Sequence, residues 1–90
     1  MNRLRELRRR KNITQLRVQM ETGIDQSDYS KMENGKRYPT TEQAMALCQL
    51  YETSMDYIYG MTDDPIPYPR SKYINESVKY AKKKNKNNED

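Results

Sequence analysis

The sequence predicts an all-α protein, a compact five-helix bundle followed by a C-terminal extension. Three observations point there. Apolar residues in the first sixty positions recur at helical spacings such as Leu4/Leu7 and Ala44/Leu47/Cys48/Tyr51. Cap and stop residues punctuate these stretches at short intervals. After Gly60 the composition changes, and prolines at 65, 67 and 69 forbid a helix.

The elements follow in order. Leu4 and Leu7 lie among Arg and Glu, so residues 2–11 read as an amphipathic helix with one narrow apolar stripe. Ile13 enters the core, and Thr14 is a good N-cap for a second helix over Gln15 to Thr22, which buries Val18. Gly23 supplies the left-handed residue that ends this helix. Ile24 precedes the next cap, Asp25. The third helix runs from Gln26 to about Asn34 and stops at Gly35. Asn-Gly also marks hairpins, but a helical pattern precedes it and no alternating strand follows. Pro39 blocks continuation, and Thr40-x-x-Gln43 reads as a capping box. The fourth helix covers Thr41 to Tyr51. Ser54 caps a short fifth helix from Met55 to Tyr59, and Gly60 stops it. Residues 1–61 are thus the domain, and 62–70 an extended Pro-rich linker. Residues 71–90 form a basic tail with a candidate helix at 72–84, where Tyr73, Ile74, Val78 and Ala81 make a thin apolar stripe.

Composition narrows the function. Ninety residues make one small domain plus a tail, and only 33% are apolar. No run of apolar residues is long enough to cross a membrane. The basic N-terminus lacks the apolar segment of a secretory signal, so a cytoplasmic location is the default. There is no histidine, and Cys48 is the single cysteine. These counts leave no Ser-His-Asp or Cys-His set, no cysteine-rich metal site and no internal disulfide. No glycine-rich phosphate loop is present either. An enzyme is therefore not expected, and neither is a metal or other cofactor. Cys48 lies on the apolar face of the fourth helix and reads as a small core residue.

The net charge of +4 is unevenly distributed. Residues 1–11 carry +5, residues 12–69 carry −5, and residues 70–90 carry +4. Basic ends suit a polyanionic partner, and equally suit a solvated, solubilising surface. The Arg-rich first helix is open to the same two readings.

The pair of helices joined by Gly23-Ile24-Asp25 has the form of a helix-turn-helix. On a wheel of about 100° per residue, Tyr29 and Met32 fall together and face inward. Gln26, Ser27, Ser30 and Lys31 spread over the opposite arc. That short polar face suits the major groove, where Gln or Lys can contact base edges. Lys36 and Arg37, directly after the helix stop, would lie along the sugar-phosphate backbone. Gln15, at the start of the second helix, sits where backbone amides and the helix dipole favour a phosphate.

Leu4-x-x-Leu7-Arg8, Ile13-Thr14-Gln15, Val18, Gly23-Ile24, Tyr29-Ser30-Lys31-Met32-Glu33-Asn34-Gly35-Lys36-Arg37-x-Pro39, Leu47 and Ser54-x-Asp56-x-Ile58-x-Gly60 resemble the phage-repressor/Cro type, or Xre-like, helix-turn-helix regulators. The resemblance covers about residues 2–60. It implies a lambda-repressor-like bundle that binds double-stranded DNA in sequence-specific fashion, as a two-fold homodimer on a palindromic operator. It implies that Gln15 contacts phosphate and braces the start of the recognition helix. Gln26, Ser27 and Lys31 would face bases with Ser30 nearby, and Asn34, Lys36 and Arg37 would contact the backbone. Arg8 and Glu33 match an internal ion pair between helix one and the end of helix three. The sequence departs from the pattern at Asp28, where a small hydroxyl residue is common, at Thr22, often Leu, and at Leu16 and Arg17, where Glu is frequent.

The expected function is a nucleoid-associated transcriptional regulator, a repressor in the first instance. Two other classes stand beside it. One is an antitoxin-type regulator whose tail binds a partner toxin. The other is a helix-turn-helix interaction module that no longer reads DNA, for which Asp28 and the net-acid central segment speak. The tail itself could dock on the domain or a second subunit, act as a loose basic arm on DNA, or be disordered.

Overall fold

The computed structural model describes residues 2–67. The tail from residue 68 onward, including the candidate helix at 72–84, lies outside them. Five α-helices follow one another: α1 (Leu4–Arg10), α2 (Gln15–Thr22), α3 (Gln26–Glu33), α4 (Thr41–Tyr51) and α5 (Met55–Ile58). The described residues contain no strand.

Each start is set by a side chain that accepts from an otherwise orphaned backbone amide. Thr14 accepts from the Arg17 amide, and Asp25 from those of Ser27 and Asp28. Thr40 and Gln43 form a full capping box on α4, and Ser54 caps α5 through the Tyr57 amide. The expected ends of three helices shift. α1 begins at Leu4 rather than residue 2, because Asn2 turns its amide oxygen onto the Leu4 amide (2.9 Å) and its amide nitrogen onto the Met32 carbonyl (2.8 Å). Its other end falls at Arg10, since Asn12 turns left-handed with φ 59°. α3 ends at Glu33 with Asn34 as its cap, and α5 ends at Ile58 with Tyr59 as its cap.

The core is built from all five helices. Leu4, Leu7, Val18, Ile24, Tyr29, Met32, Leu47, Tyr51, Tyr57 and Ile58 form one buried cluster, with Ile13 and Cys48 packed against it. Tyr29 and Met32 are fully buried, so α3 is anchored by one face and leaves its opposite face outside. The α2–α3 turn is stiffened by two further features. Gly23 adopts φ 79°, which a side chain would strain. The buried Thr22 hydroxyl donates to the Val18 carbonyl (2.7 Å) and accepts from the Ile24 amide (3.1 Å). Threonine at 22 thus serves the turn by hydrogen bonding, where a leucine would serve by packing alone.

The first part of the stretch read as linker is held by the bundle. Arg3 lies over the Tyr57 ring (4.2 Å) and donates to the carbonyls of Tyr57 (2.7 Å) and Thr62 (2.8 Å). It also pairs with Asp63 at 2.6 Å. Thr53, itself buried, donates its hydroxyl to the Pro65 carbonyl (2.7 Å). Folded structure therefore continues past residue 61 to at least Pro65.

Candidate nucleic-acid interface

The exposed face of α3 and the adjoining edge of α2 enclose a shallow, open depression lined by Gln15, Gln19, Asp25, Gln26, Ser27, Ser30, Lys31, Asn34 and Lys36. This brings together seven of the eight residues expected to face DNA. Gln26 and Lys31 are exposed, and Ser30 is half-buried. Neither Lys31 nor Lys36 is in an ion pair among the described residues, so both ammonium groups are open to solvent and ligand.

The start of α3 is fixed by Asp25 and Gln19. Asp25 accepts from the Ser27 amide (3.1 Å), the Asp28 amide (3.4 Å) and the Ser27 hydroxyl. These bonds, the Ser27 hydroxyl foremost, hold the Asp25 carboxyl below its ordinary range. The Ser27 hydroxyl has spent its proton on the cap and offers an incoming base edge only acceptor lone pairs. Gln19 accepts from the Gln26 amide at 2.7 Å. The brace at the start of α3 is thus Gln19, one turn beyond Gln15, because the start of α3 lies against the C-terminal half of α2. Gln19 was absent from the expected site. Its only sequence signal is its place four residues after Gln15, on the same face of α2.

Gln15 acts at the other end of α3. Its amide nitrogen reaches the Glu33 carboxylate at 3.2 Å. Glu33 is a fully buried carboxylate in its side chain. Arg8 approaches it with Nε on Oε2 (2.6 Å) and Nη2 on Oε1 (3.3 Å). Arg5 adds Nε at 3.4 Å. Burial pushes the Glu33 carboxyl up, but hydrogen bonds from Arg8, Tyr29 and Gln15 outweigh it and hold the group below its ordinary range. The same pair raises the Arg8 guanidinium. Arg8 also donates to the Ile13 carbonyl (3.1 Å), so α1, the α1–α2 loop, α2 and the end of α3 meet at one charge cluster. Beside it the Tyr29 and Tyr51 hydroxyls share a 2.6 Å hydrogen bond. Burial drives both up, Tyr51 to about 12 and Tyr29 further.

Arg37 departs from the group. It pairs with Asp28 at 2.8 Å and is only partly exposed, outside the depression. Asp28, the departure from the family pattern, is neutralised by the cation that follows α3. Asn34 lies at the rim, where its side-chain oxygen accepts from Arg5 Nη2 at 2.6 Å.

Comparison with known proteins adds the family. Residues 1–62 match the helix-turn-helix domain family. The chain belongs to the helix-turn-helix family. Among curated proteins it is 36% identical over 74 residues to a Bacillus subtilis (strain 168) protein named as an uncharacterized HTH-type transcriptional regulator, YobD. That alignment covers 82% of this chain and 66% of the relative's length, just short of two thirds. Both matches agree with the Xre-like resemblance of the sequence. No solved structure matches the chain significantly.

Proposed function

We propose that this helix-turn-helix protein is a sequence-specific double-stranded DNA-binding transcriptional regulator that inserts α3 into the major groove. The observation that carries the reading is the single depression in which Gln15, Gln26, Ser27, Ser30, Lys31, Asn34 and Lys36 converge, on a helix whose other face is locked into the core. Gln26 and Lys31 have the donors to read base edges, and Ser30 stands beside them. Gln15, Asn34 and Lys36 flank them at the height of the phosphates, where contacts fix register without reading sequence. Arg37 joins the backbone contacts once a phosphate competes with Asp28 for its guanidinium.

Binding as a homodimer on a palindromic operator sets two α3 helices in successive major grooves, about 34 Å apart. The relative's name carries the regulatory part of the reading. Repression is the mode we assign, since a dimer filling two major grooves excludes other proteins from that duplex with no further contact. The work place is the cytoplasm, on the chromosome. The test is a selection of bound duplexes from a random pool at near-physiological salt. The expected result is a two-fold symmetric consensus. A pool that emerges unenriched would overturn the reading.

A further inference from the structure

The charge cluster under α3 is unbalanced. Two guanidinium groups, Arg5 and Arg8, meet one carboxylate, Glu33. Arg8 is nearly covered, at 16% side-chain exposure, and makes the short bidentate pair. Arg5 is 44% exposed and makes the long contact of 3.4 Å, so the surplus positive charge resides at the surface on Arg5. Its position is held on two sides: Nε toward Glu33, and Nη2 on the Asn34 side-chain oxygen. Nη1 has no hydrogen-bond partner among the described residues. A guanidinium can only donate, so this contact also decides which way the Asn34 amide faces. The oxygen is turned to Arg5, and the two N–H donors of Asn34 are left for the depression that Asn34 lines.

We propose that Arg5 and Asn34 form a two-pronged phosphate clamp, in which Arg5 Nη1 and the Asn34 amide nitrogen donate to non-bridging oxygens of the DNA backbone at the C-terminal end of α3. This rests on the DNA-binding reading and extends its footprint to α1. Arg5 has two roles: it is a direct cationic contact and the positioning residue for Asn34. The occupant is a phosphodiester because the clamp offers donors only, carries net positive charge and borders a face that bears base-reading side chains. The clamp carries no sequence preference.

The test uses the full chain with the selected operator duplex and a random-sequence duplex of equal length, titrated across salt concentrations. Arg5→Ala weakens both duplexes by roughly tenfold and makes the salt slope shallower by about 0.9. Asn34→Ala weakens both with little change in slope. Because Arg5 orients Asn34, the double variant loses less than the product of the two single losses. Arg5→Lys keeps the charge without the fork and retains the slope while losing the coupling to Asn34. Circular dichroism of each variant shows that the bundle is folded. An unchanged salt slope in folded Arg5→Ala, or strictly multiplicative losses in the double variant, overturns the clamp. Either result leaves the operator preference of the native chain, and with it the major-groove reading, intact. A native chain that prefers no sequence, but whose salt slope becomes shallower with Arg5→Ala, supports the clamp and overturns the major-groove reading.

Discussion

Single side chains in the α3 depression divide by chemistry, and each division is measurable. Lys31 is exposed, outside any ion pair among the described residues, and part of the lining of the depression. Lys31→Ala is expected to weaken operator binding by about 1–3 kcal/mol and relax preference at one or two base pairs. Competition against duplexes substituted one pair at a time checks this. Lys36→Ala should weaken all duplexes alike, because a rim cation meets phosphate only. Asp28 gives the opposite sign. Its carboxylate holds Arg37 at 2.8 Å, so Asp28→Ala releases a guanidinium beside the backbone. Affinity should rise for operator and random duplex together with little change in salt slope, because Arg37 reaches the same phosphate without first leaving a carboxylate. If Asp28→Ala instead lowers affinity, Asp28 touches a base, and the pair is part of the reading set.

The helices are joined by a charge cluster as much as by the apolar core. Glu33 links the end of α3 to α1 through Arg8 and to α2 through Gln15. Removing one member strands its partner in a buried setting, so Arg8→Ala should cost about 3–5 kcal/mol of stability. Urea unfolding measures this directly. The pH dependence follows from the two directions of shift. Glu33 is lowered in the folded state, so its stabilisation is complete above the unfolded value of 4.5 and is lost as pH falls through the lower folded value. Tyr51 is raised to about 12, so its contribution is complete below the unfolded value of 10.0 and is lost as pH rises from there through about 12. Tyr29, raised in the same direction, adds to the alkaline loss. A melting-temperature profile should therefore fall at both ends. Replacing Tyr29 and Tyr51 together with Phe should flatten the alkaline limb and, because the Tyr29 hydrogen bond to Glu33 is lost, also shrink the acid one.

At the scale of the whole molecule, the Arg3 contacts and the Thr53–Pro65 bond place the boundary of the folded unit beyond residue 61. A chain cut after Gly60 should be less stable than one cut after Pro67 by about 1–3 kcal/mol, on the ordinary value of a few net hydrogen bonds. Equal stability would mean that these contacts are solvated and idle. The basic ends bear on affinity. The six cations of residues 1–11 and the seven of residues 70–90 flank a net-acid middle, so DNA binding should weaken steeply with salt.

The helix count, the caps, the inward pair Tyr29 and Met32, and the polar arc from Gln26 to Lys31 can all be read along the chain. These are legible because they depend on local rules: helical period, backbone amides that need a near neighbour, and glycine at a left-handed turn. The packing of the helices settles which long side chains meet. It set Gln19 rather than Gln15 at the start of α3, drew Arg37 onto Asp28, and made Arg5 a second partner for Glu33. It also bound the chain after residue 61 back to Arg3. Flexible polar side chains can reach several partners from one helical position. Where each one lands is fixed by how the helices cross, which no local pattern encodes.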